Sequence, residues 1–107
     1  MPKNKGTMRK PKGCDICLMR TPNGPRAYGL KIDRAPSPIL GFDWGPMAGP
    51  LSKKNTAAAI LHKCCGAKAA RDHATEFMLA KLSDTDGDMT FNKADVQAWV
   101  HRQEYGF

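Results

Sequence analysis

No apolar run in the chain approaches the roughly 18 residues that a membrane span requires. No apolar stretch follows the basic start, so a secretory signal is not expected. Met1–Gly13 contains two prolines and no amphipathic period, which speaks against a transit peptide. The expectation is an intracellular protein of the cytoplasm or an organelle matrix, without a membrane partner. Signatures of catalysis are also missing: no phosphate-cradling Gly-rich loop, no G-x-S-x-G and no HExxH. Aromatic residues do not interleave with basic ones as a base-stacking platform requires. There is no internal repeat. These absences point away from an enzyme and towards a binding or structural protein.

The 107 residues suffice for one small domain, and 25% charged residues is ordinary for a folded chain. The net charge of +7 is unevenly spread. Residues 1–71 hold 14 Lys/Arg against Asp15, Asp33 and Asp43, whereas residues 72–107 hold three Lys/Arg against seven acids. A basic front joined to an acidic tail implies an acidic partner for the front, nucleic acid being the commonest candidate, with RNA or another acidic polymer expected. A solubilising arm and mutual pairing of the two halves are the alternatives. The candidate contacts are Lys3, Lys5, Arg9, Lys10, Lys12, Arg20 and Arg26.

Three segments follow from texture. Residues 1–13 form a basic arm without acid, expected to be disordered alone. Residues 14–51 are irregular: six of the eight prolines and five glycines lie between 20 and 51, excluding regular helix over most of that span. Tyr28–Ile32 alternates and is the one expected strand. Phe42 and Trp44 sit on irregular backbone and must bury in this chain or a neighbour, which makes them candidate partner anchors. Residues 52–107 read as helical. Ser52 is the candidate cap of a first helix carrying Ala57, Ile60, Leu61 and Cys64. Gly66 breaks it. A second helix spans Ala67–Leu82, and a third runs roughly from Lys93 to Gln103 and ends at Gly106. The expected fold is mainly α, with the helical half preceded by the irregular basic half. Such a core is marginal without metal, disulfide or partner.

Between the last two helices lies Asp84-Thr-Asp86-Gly-Asp88-Met-Thr90-Phe-Asn92-Lys-Ala-Asp95. Carboxylates this dense repel one another unless a cation neutralises them. Asp84, Asp86, Asp88, the Thr90 carbonyl, Asn92 and Asp95 fall at the alternate positions from which a 12-residue loop offers oxygens to calcium. The segment resembles a single, degenerate EF-hand, and Asn92 with Asp95 is also similar to a dockerin loop. The resemblance implies a helix–loop–helix module with calcium or magnesium as cofactor, and a second loop from a partner or homodimer. Two residues depart from the pattern, and so does the entering helix, whose Phe77, Met78 and Leu82 lie one position away from the family's usual apolar spacing. Met89 stands where the family keeps a left-handed glycine, and Asp95 replaces a longer glutamate, which weakens calcium relative to magnesium. The competing reading is a solvated turn in which Asn92 caps the last helix, with Asp95 reciprocating.

Cys14 and Cys17 have the spacing of a zinc-gripping turn, with Cys64 or Cys65 and His62 or His73 as further ligands. Small core cysteines in reduced form are the equal alternative, and a disulfide scaffold is not expected. The histidines, His101 included, read as ordinary surface or half-buried residues. The function expected from all this is a non-enzymatic accessory subunit of a larger assembly, a ribonucleoprotein. A calcium-responsive protein-binding module and a zinc-stapled small protein are the alternatives.

Overall fold

The computed structural model describes residues 15–22, 24–30, 42–85 and 87–106. Its elements are β1 (Ile16–Thr21), β2 (Gly24–Tyr28), α1 (Pro50–Cys65), α2 (Ala67–Lys81), β3 (Met89–Phe91) and α3 (Lys93–Tyr105). The strands form an antiparallel sheet in the order β2-β1-β3. The described residues thus hold three helices, as expected of the helical half, and beside them a small sheet, so the fold is mixed rather than mainly α.

The helices begin and end where local chemistry directs. Pro50 opens α1 at its first turn, where a missing N–H costs nothing, so the helix starts two residues before Ser52. Gly66 separates α1 from α2 with a φ of 98°, and its N–H reaches back to the Leu61 and His62 carbonyls. Gly106 closes α3 in the left-handed region (φ 82°) and donates to Arg102 O at 2.7 Å.

The strands differ from expectation. Ile16–Met19, around the second cysteine of the CxxC pair, supplies most of β1, the central strand. Thr21 pairs with Gly24, closing a hairpin over two residues. Gly24 takes a φ of 107°, and the Thr21 hydroxyl donates to its carbonyl at 2.8 Å. Pro25, which has no N–H, fits β2 because that strand is an edge. Of the alternating run expected over Tyr28–Ile32, Tyr28 ends β2 and Gly29 turns the chain at φ 89°. Lys31 and Ile32 lie outside the described residues.

One sheet face packs on the helices. Ile16 and Leu18 are fully buried, and Phe91, Met89 and Ala27, their cross-strand partners, pack against the same cluster. That cluster also holds Trp44, Ile60, Leu61, Phe77, Leu82, Val96, Trp99 and Val100. Phe77 stands edge-on to Trp99, with ring centres 5.1 Å apart. Ile16, Leu18 and Trp44 thus share one core with the helices. No helix among the described residues is long and apolar enough to cross a membrane.

Candidate functional site

The acidic loop is tied into the chain by a polar junction built around Trp44. Trp44 is fully buried and donates its indole N–H to Gly87 O at 2.8 Å. Arg20, from β1, lies over the Trp44 ring at 4.3 Å. Its guanidinium donates to Asp43 Oδ1 at 2.5 Å and to Trp44 O at 2.6 Å, while its backbone N–H donates to Asp88 Oδ1 at 3.0 Å. Asp43 Oδ1 also accepts from Trp44 N at 2.8 Å. The Thr56 hydroxyl, buried on α1, accepts from Asp43 N and lies 2.9 Å from both Asp43 O and Ser52 O. Gly45 N donates to Leu82 O at 2.7 Å, joining the same loop to the end of α2. Each polar group brought out of water here has a partner, which such burial requires.

This arrangement changes two expectations. Trp44, read as a partner anchor, is an anchor for its own core. Phe42 is half-buried against that core and edge-on to Trp44. Arg20, read as a contact for an acidic partner, has its fork engaged internally. Arg26 is exposed on the edge strand. Lys3, Lys5, Arg9, Lys10 and Lys12 lie outside the described residues.

Four of the expected calcium ligands have described neighbours. Asp88 faces the Arg20 amide. Thr90, opposite Cys17 in the sheet, lines an open groove of about 440 Å³ with Asn92, Asp95, Lys81 and Arg102. Asp84 is exposed after α2, and Asp86 lies outside the described residues. Met89 does not adopt the left-handed turn of an EF-hand loop, since no non-glycine described residue has positive φ. It is extended and begins β3. The pairing strand comes from β1, so a second loop is not what β3 pairs with. Among the described residues no three His, Cys, Asp or Glu side chains are grouped to hold a metal.

The capping reading of Asn92 is half right. Asn92 occupies the N-cap position of α3 but makes no side-chain cap bond. Asp15, 78 residues away, accepts the Lys93 N–H at 2.6 Å, and its own N–H donates to Phe91 O. No local spacing in the sequence signals a cap supplied from another strand.

Cys17 and Cys64 are buried and Cys65 is half-buried; Cys14 lies outside the described residues. Burial pushes the Cys64 thiol up to about 11, with help from neighbouring Cys65 and Asp15. It is a protonated thiol at neutral pH, unsuited to nucleophilic chemistry. His62 is exposed. His73 is only 11% exposed, with Nδ1 2.8 Å from Glu76 Oε1 and Nε2 3.2 Å from Glu104 Oε2. The two carboxylates flank opposite ring nitrogens and tie α2 to α3. Comparison with known proteins found no matching family model, no matching curated protein and no matching solved structure.

Proposed function

We propose that this protein is a small non-enzymatic accessory subunit of a ribonucleoprotein assembly, binding RNA phosphates through its basic front half. The observation that carries this reading is how the front half uses the two of its three acids that are described, Asp33 lying outside the described residues. Asp15 caps α3, and Asp43 is taken up by Arg20 and the Trp44 amide. No acid lies on α1. Arg26, Lys54, Lys63 and Arg71 are exposed, so the positive charge they carry faces outward. The described tryptophans are both buried, which favours phosphate contacts over base stacking. Such binding carries little sequence preference. The acidic loop is then a structural joint.

Filter binding of single-stranded RNA in rising salt tests the proposal. The logarithm of affinity should fall linearly with that of salt, by about 0.7 per phosphate neutralised. Alanine at Lys3, Lys5, Arg9, Lys10 and Lys12 together, or at Arg26, should flatten the slope. Affinity that is absent or insensitive to salt would reject the reading.

A further inference from the structure

Four stretches of the chain meet around a small cavity of about 230 Å³: Asp15 before β1, Gly29 after β2, Lys63 and Cys64 at the end of α1, and Lys93 at the start of α3. Their frame is braced. Gln97 Nε2 donates to Cys64 O at 2.9 Å and holds the end of α1 against α3. Lys93 N donates to Asp15 Oδ2 at 2.6 Å, and Asp15 N donates to Phe91 O at 3.0 Å. Gly29 packs so closely that a Cβ there would collide with the Asp15 carbonyl oxygen. Lys63 and Lys93 are exposed, and neither side chain has an ion pair or hydrogen bond among the described residues. Both charges reach the Cys64 thiol, where each favours the thiolate, so two ammonium groups from different helices bear on one place. Asp15 is the acid that lines the cavity. Its carboxylate is taken up by the first N–H of α3, whose positive end offsets the charge.

The basic arm joins the fold at this same cavity. Residues 1–14 hold Lys3, Lys5, Arg9, Lys10 and Lys12 and no acid, and they run directly into Asp15. A polyanion held by the arm is thus brought to Lys63 and Lys93 by chain connectivity. Lys54 and Arg71 belong to a separate surface beside Leu51, Lys54 lying about 13 Å from Lys63 along the α1 axis. We infer that the cavity is a seat for one backbone phosphate of the RNA, gripped by Lys63 and Lys93, so that the strand passes from the basic arm onto the junction of α1 and α3. The inference rests on the RNA reading and sharpens it, giving the strand to these two lysines and not to Lys54 and Arg71. Lysine suits the task as a point charge, and the braced backbone beneath limits what has to be ordered on binding.

Filter binding of single-stranded RNA to the full chain in rising salt tests the inference. Lys63→Gln with Lys93→Gln should lower the salt slope by about 0.7, the share of one phosphate, and leave thermal melting unchanged. Lys63→Arg with Lys93→Arg, which keeps both charges, should retain the wild-type slope, and so should Lys54→Gln with Arg71→Gln. In amide-resolved NMR spectra of the wild type, RNA should shift Gly29, Lys63 and Lys93, whereas inorganic phosphate at matched ionic strength should not. An unaltered slope in the folded Lys63→Gln, Lys93→Gln protein overturns the inference and leaves the RNA reading standing. An equal loss in the Lys54→Gln, Arg71→Gln protein does the same. Should the first pair of substitutions unfold the chain, the wild-type spectra decide, and unshifted Gly29, Lys63 and Lys93 amides overturn the inference. Saturation of those amides by inorganic phosphate as readily as by RNA also overturns it, assigning the seat to a free anion. Absence of RNA binding by the wild type rejects the RNA reading and this inference with it.

Discussion

Arg20 occupies a position that no cation on a flexible stem fills equally well. Its planar fork reaches a carboxylate and a backbone carbonyl at once while its face covers the Trp44 ring. A lysine keeps the charge but offers one point of contact and no stacking plane. Arg20→Lys should therefore destabilise the protein by about 1–2 kcal/mol, since bonds to charged groups are worth more than neutral ones. Urea unfolding measures this, and RNA affinity should be unchanged. An unchanged urea midpoint with weakened RNA binding would return Arg20 to the partner surface. From composition, Arg20 was indistinguishable from the other front-half cations. What sets it apart is Asp43, 23 residues on, and the fold alone brings the two together. Trp44 was legible in one respect, because so large an apolar side chain has to bury. That it buries within its own chain depends on Thr56, Leu82 and Gly87 meeting its loop.

At the scale of elements, the helices were readable because each carries its own instructions. Apolar residues recur at helical spacing in α1 and α2, and Gly66 and Gly106 end α1 and α3. The sheet was not readable for a physical reason. β3 is three residues long, too short for a period to register, and β2 contains a proline that only an edge tolerates. β1 looked like the apolar surround of a cysteine pair. The acidic ladder was conspicuous in sequence because spacing is all a ligand pattern needs, but spacing does not fix which way each oxygen faces. The cap of α3 gives the sharpest contrast between local and distant control. Asp15→Ala should cost about 1 kcal/mol, the usual worth of an N-cap acceptor, whereas Asn92→Ala should cost far less. Chemical denaturation of the two variants side by side measures the difference. Asn92→Ala as costly as Asp15→Ala would mean that capping is local after all.

For the whole molecule, charge segregation along the chain does not divide the structure into halves. Ile16, Leu18 and Trp44 from the front share a core with Phe77, Val96 and Trp99 from the back. Gln97 of α3 donates to Cys64 O at the end of α1 at 2.9 Å, fastening the last helix to the first. His73 adds the titratable tie. Carboxylates only accept, so both of its ring nitrogens donate only when the ring is the imidazolium. The bond to Glu76, supported by that to Glu104, raises its pKa above the ordinary 6.5, against the opposing effect of partial burial. Below about 6.5 the ring is protonated folded or unfolded, and the tie contributes fully. As pH climbs, the unfolded chain gives up its proton first and the folded chain must hold on to one. That contribution shrinks from about pH 6.5 upward and is gone once pH passes the raised folded value. His73→Gln, which cannot ionise, removes this dependence. The melting temperature of the wild type should exceed that of His73→Gln most at about pH 6, and the gap should narrow steadily towards about pH 8.5. A gap constant with pH would show that His73 acts by packing against Trp99 alone, and a gap widening with pH would mean that the folded ring is held neutral.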